Sequence, residues 1–115
     1  MREGELRGIL GLAFRAGQLV PGAEMSLQLI RDGKAALVLV DTAAAANTAK
    51  KLSDACAYRG VSMCRLPEGE LARALGRPEM AAAALKRGNF AKRAEELCGE
   101  RPGDQTGTKN AEELG

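Results

Sequence analysis

The stretch Ala35-Ala-Leu-Val-Leu-Val40 decides the fold. Its run of branched aliphatics, bounded by Gly33-Lys34 and Asp41, is too short for a buried helix and too continuous for a strand with one face in water. It reads as a strand covered on both sides, central in its sheet and with parallel company. Upstream, Leu6, Ile9, Leu10 and Ala13 recur at i, i+3, i+4 and i+7, and Gly17 follows as a stop. This predicts a helix from about Glu3 to Ala16. Gln18-Leu19-Val20 is a short strand, Pro21-Gly22 breaks it, and Ala23 to Arg31 is a second helix ending at Asp32-Gly33. Downstream, Asp41 and Thr42 are placed to cap a third helix with apolar positions Ala45, Ala49, Leu52 and Cys56, running to Gly60. Val61-Ser-Met-Cys64 is the next strand. Pro67 opens a helix through Leu71 and Leu75 that Gly76 closes. Met80 to Leu85 forms the last strand, and Asn89 caps a final helix through Phe90, Ala94, Leu97 and Cys98. Helices and strands in alternation predict an α/β chain: a three-layer α/β/α sandwich with a small mixed sheet of about four strands.

The chain of 115 residues, 45% hydrophobic and 28% charged, suits one domain over 1–98. Residues 99–115 have almost no apolar side chains to offset the entropy of ordering them and are expected to be a disordered acidic tail. The net charge of +2 hides a division: 15 basic against 11 acidic residues over 1–98, and 2 against 4 in the tail. The mildly basic body is compatible with a nucleic-acid partner without demanding one.

Several function classes are excluded or disfavoured. The chain has no histidine, which removes the commonest general acid/base and metal ligand. The three cysteines, Cys56, Cys64 and Cys98, show no CxxC spacing and are expected to be reduced, buried thiols. Aromatics at 3% are too few for a base-stacking sheet. The apolar runs are far shorter than a membrane span and no secretory signal precedes them, so a cytoplasmic protein is expected, with no membrane partner. Gly8-Ile-Leu-Gly11-Leu-Ala-Phe-Arg-Ala-Gly17 lacks the Lys-Ser/Thr of a phosphate-binding loop. Its glycines fall within or at the end of a helix, unlike a dinucleotide fingerprint, and Ile9 and Leu10 are core positions, unlike the clamp of a KH domain. No catalytic constellation, cofactor, metal site or small-molecule substrate emerges.

Six segments in order carry a resemblance: Leu10-Gly-Leu-Ala-Phe-Arg-Ala-Gly17, Gly22-Ala-Glu24, Ile30-Arg-Asp-Gly-Lys-Ala-Ala-Leu-Val-Leu-Val40, Asn47-Thr-Ala-Lys-Lys51, Leu71-Ala-Arg-Ala-Leu-Gly76 and Gly88-Asn-Phe-Ala-Lys92. Over about residues 5–95 the chain resembles the L7Ae/L30e ribosomal-protein family, in particular its small bacterial YlxQ-type branch. The resemblance implies an L30e-like sandwich and non-catalytic binding of structured RNA, a kink-turn-like or rRNA element, associated with the ribosome or translation.

In the family's kink-turn binders a Gly-x-Asn-Glu-x-x-Lys motif opens the second helix against sheared G·A pairs, and a loop before the last strand packs on a flipped-out base. By register, Gly22 matches the glycine, Glu24 stands at the Asn, Met25 at the Glu and Gln28 at the Lys; only the glycine is kept. The resemblance therefore implies an RNA face of Gly22, Ala23, Glu24, Met25 and Gln28, with the loop of Arg77, Pro78, Glu79 and Met80 beside it and Arg31 and Lys34 within reach. The alternative is a protein-interaction module on the same fold that has lost kink-turn recognition.

Overall fold

The computed structural model describes residues 2–77 and 79–98. The elements are α1 (Arg2–Arg15), β1 (Leu19–Pro21), α2 (Ala23–Arg31), β2 (Ala35–Asp41), α3 (Ala46–Arg59), β3 (Ser62–Leu66), α4 (Glu70–Leu75), β4 (Ala82–Lys86) and α5 (Asn89–Cys98). The sheet order is β1-β4-β2-β3, with β2 parallel to β3 and antiparallel to β4, and β1 antiparallel to β4. The expected mixed four-stranded α/β/α sandwich is what forms, and β2 is an inner strand. No helix among the described residues is long and apolar enough to cross a membrane.

β2 feeds two cores because its side chains alternate across the sheet. Leu37 and Leu39 join Leu10, Leu71, Leu85 and their neighbours under α1, α4 and α5. Val38 and Val40 join Ile30, Leu52, Met63 and their neighbours under α2 and α3. All four of these β2 residues are at 0% exposure, and each side chain so buried contributes about 1.5–3 kcal/mol. The continuous apolar run is thus the signature of a strand with a core on either face.

The structure moves several expected boundaries. β3 extends to Leu66, and Pro67 lies outside α4, which starts after Gly69. Met80 precedes β4, which starts at Ala82, the residue paired with Val40 of β2. The N–H of Lys92 donates to the carbonyl of Gly88, so Asn89 is the first residue of α5 rather than its cap. Residues 99–115, expected to be a disordered tail, lie outside the described residues.

Asp41 and Thr42 do not cap α3, which begins four residues on behind Ala45, itself exposed. Asp41 ends β2, only 7% exposed, and its carboxylate turns back: Oδ1 accepts the N–H of Ala43 at 2.6 Å and Oδ2 the N–H of Gly69 at 2.9 Å. It ties the β2–α3 loop to the β3–α4 loop.

Two cysteines correct the expectation of three free thiols. Cys64 of β3 and Cys98 at the end of α5 are joined as a disulfide across 34 residues of sequence, with Cα atoms 5.9 Å apart. The last turn of α5 runs over the β3 edge of the sheet, where Ser62 Oγ also donates to Glu95 Oε2 at 2.5 Å. Cys56 remains a free, buried thiol in the opposite core, and burial pushes its pKa up to about 12.

Three outcomes follow. Ellman titration of the native, unreduced protein is expected to find no reactive thiol, denaturation to release one, and denaturation with reductant to release three. Closing a loop of this length removes about 3–4 kcal/mol of unfolded-chain entropy, so Cys98→Ser is expected to lower the urea midpoint accordingly. Asp41→Ala strands two amides that donate to a charged acceptor, each bond being worth about 1.5–3 kcal/mol. A loss of about 3–6 kcal/mol in urea unfolding is expected, and an unchanged midpoint would contradict the bridge.

Candidate functional site

The site is built where β1 becomes α2. Gly22 sits at φ 104° and ψ 142°, backbone that essentially only glycine adopts, although an added Cβ would meet nothing within 4 Å. Conformation, not space, requires the glycine. Its N–H donates to the carbonyl of Ala82 at 2.8 Å, while its own carbonyl accepts the Ser26 N–H at 3.0 Å and the Ser26 hydroxyl at 2.7 Å. Ser26 is fully buried. No side chain caps α2, so the amides of Ala23, Glu24 and Met25 face outward from a helix start with no intrahelical acceptor. Glu24 and Gln28 are exposed, and Met25 is 54% exposed rather than packed. The Gln28 amide donates to Asp32 Oδ1 at 3.0 Å.

The bond to Ala82 sets this turn beside the segment between α4 and β4. Between them lies an open hollow of about 550 Å³, bounded by Gly22, Asp41, Glu68, Gly69, Glu79 and Met80. Three carboxylates and no lysine or arginine line it. Both Asp41 oxygens are occupied by backbone N–H groups, whereas Glu68 and Glu79 are exposed. The corner therefore offers hydrogen-bond acceptors in its hollow and free amides along one rim. Such a surface suits a ligand edge rich in N–H donors, and the hollow by itself does not suit phosphate.

Of the residues singled out in the sequence, Gly22, Ala23, Glu24, Met25, Glu79 and Met80 are brought to this corner, with Gln28 one turn along α2. Arg77 turns away from the hollow: its guanidinium carbon lies 5.2 Å from the centroid of the Phe14 ring on α1. Pro78 lies outside the described residues. Arg31 and Lys34 do not reach the corner. α2 has nine residues, a length of about 14 Å, and Arg31 is at its far end. Lys34 leads into Ala35, which pairs with Lys86, whereas the corner is at the other end of the ladder, where Val40 pairs with Ala82. At that far end the guanidiniums of Arg59 and Arg87 donate to the carbonyls of Arg31 and Gly33 at 2.9 and 2.6 Å. Asp41 and Glu68 were missed as site residues. The available signal was an acid closing an apolar inner strand, since open α/β sheets place their crevices at the carboxyl ends of strands.

Residues 5–95 match the family model described as the ribosomal protein L7Ae/L30e/S12e/Gadd45 family. The chain is 38% identical over 90 residues to the RNA-binding protein YlxQ of Enterococcus faecium, covering 77% of this chain and 86% of that protein. A solved structure of a protein of unknown function from Bacillus halodurans superposes with a TM-score of 0.78 at 30% identity, covering 83% of this chain and 97% of the other. The Giardia lamblia 15.5kD RNA binding protein shares the fold at a TM-score of 0.69 and 20% identity, covering 85% of each chain. The match over nearly the whole described body and the agreement in fold together place the chain in the ribosomal protein L7Ae/L30e/S12e/Gadd45 family, in its YlxQ-type branch.

Proposed function

We propose that this chain binds structured RNA without catalysing a reaction, through the corner between the start of α2 and the α4–β4 segment. We propose further that its target is a kink-turn-like or ribosomal RNA element, met in the cytoplasm in association with the ribosome or translation. One observation carries the reading: the Gly22 N–H to Ala82 bond holds an uncapped helix start against an acceptor-lined hollow, on the fold of relatives named RNA-binding proteins.

The chemistry is that of base edges. A guanine presents N–H donors that Glu24, Glu68 and Glu79 are able to accept, and its O6 and N7 are acceptors for the free amides of α2 or the Gln28 amide. Met25, half-exposed, offers an apolar surface to a sugar or an unstacked base. Nothing in this scheme calls for a proton-transfer group: histidine is absent, and the Cys56 thiol is held neutral inside a core. The acidic lining also supports a second reading, in which a basic protein segment docks in the hollow. RNA digestion separates the two, since a protein partner would survive it.

Relative to the family motif, Met25 and Gln28 replace a glutamate and a lysine. Two missing base-edge contacts at about 1–3 kcal/mol each amount to a factor of about 30 to more than 10⁴ in affinity. The variant E24N/M25E/Q28K is therefore expected to bind a kink-turn hairpin at least about 30-fold more tightly than the natural chain in fluorescence anisotropy. Equal affinity of the two for that RNA would remove the corner as its binding site.

A further inference from the structure

Among the described residues no lysine or arginine lines the corner, yet a folded RNA arrives with a phosphate on every residue. The cations lie across α4. Ala72 on one side of that helix lines the corner, while Arg73 and Ala74 on the other side line a second hollow of about 490 Å³ between α4 and α1. We propose that this α1–α4 groove holds the phosphate backbone of the RNA whose base edges meet the corner, with Arg7, Arg15, Arg73 and Arg77 as its contacts. The proposal rests on the RNA reading above and names the part of the surface that carries its electrostatic share.

Three guanidiniums line it, those of Arg7, Arg15 and Arg73, and Arg77 stacks over Phe14 of the same helix α1. Glu70, its side chain 10% exposed, accepts Arg7 Nε at 2.7 Å and Arg7 Nη2 at 2.6 Å through Oε2, and Arg73 Nη1 at 3.3 Å through Oε1. The two arginines stay 45% and 61% exposed, so Glu70 fixes their positions while their remaining N–H groups face outward. Arg15, at the last turn of α1, and Arg77, stacked over Phe14, have no carboxylate partner among the described residues. A planar, pre-placed guanidinium is the side chain best matched to a phosphate.

The floor of the groove admits a backbone closely. Gly4 and Gly8 present no side chain, and a Cβ added to either would meet nothing within 4 Å. At Gly11 a Cβ would come within 3.2 Å of the Ala74 carbonyl, so glycine there lets α4 lie against α1. By contrast, the arginines at the far end of the sheet, Arg59 and Arg87, are committed to the carbonyls that end α2. An α-helix is about 10 Å across, so one strand leaving the corner has only the width of α4 to cross before it meets these charges.

The test uses the full chain and a hairpin RNA carrying a kink-turn between two paired arms, with a fully paired hairpin of the same length as control. Affinity is measured against KCl concentration for the natural chain, for R15Q/R73Q/R77Q, and for K86Q/K92Q, which removes charge away from the groove. Each phosphate contact contributes about 0.7–0.9 to the log–log slope. The triple variant is therefore expected to be shallower by about two to three, with its preference for the kink-turn over the paired hairpin unchanged. K86Q/K92Q should keep the natural slope. Arg15→Glu alone, which breaks no ion pair among the described residues, covers the case in which the triple variant fails to fold and should flatten the slope by about one. An unchanged slope in folded groove variants, or equal flattening by K86Q/K92Q, overturns the groove while the RNA reading stands on the retained preference. A natural chain that ignores both hairpins but binds polyglutamate overturns both.

Discussion

The hydrogen bond from the Gly22 amide to the Ala82 carbonyl is the joint on which the site depends. It fixes the end of the edge strand β1 against the start of β4 at the moment the chain turns into α2, and it requires a backbone conformation that a side chain would strain. Around it, Asp41 accepts amides from two loops and its own N–H donates to the Ala81 carbonyl, while the Thr42 N–H reaches the Leu66 carbonyl. The corner is therefore assembled from backbone bonds and one buried carboxylate. Its shape follows from the sheet, and its exposed side chains are left free to set what it recognises.

Charge is arranged to match. A net +2 spread over 115 residues says little about partners. What matters is the separation: acceptors and free amides in the hollow on one side of α4, guanidiniums on the other. A phosphate placed in the hollow would face Glu68 and Glu79, and a guanine edge placed on the arginines would find donors opposite donors. On the proposal above, each surface rejects the part of the ligand that the other accepts, and a nucleic acid would lie across α4.

The sandwich was legible because it is written in local patterns. The run from Leu37 to Val40 had to be buried on both faces, and α2 runs from Ala23 to Arg31 as its flanking Gly22 and Asp32-Gly33 dictate. Features that depend on where elements land were not legible. Cys64 and Cys98 meet only because α5 packs over the β3 edge. Asp41 and Thr42 look like a helix cap in one dimension, but the nearer amides of Ala43 and Gly69 claim the Asp41 carboxylate. Arg31 and Lys34 are close to Gly22 in sequence and a full helix away from it in space. Arg77 adjoins the corner loop in sequence, while its guanidinium stacks over Phe14 on the neighbouring helix.

The most direct test of this account is ultraviolet cross-linking of the full chain to ribosomal RNA, with mass-spectrometric mapping of the peptides that carry nucleotide. The account predicts adducts confined to α1, the start of α2 and the segment from Pro67 to Met80. Adducts concentrated instead on the far end of the sheet, around Arg31, Tyr58 and Arg87, would contradict it.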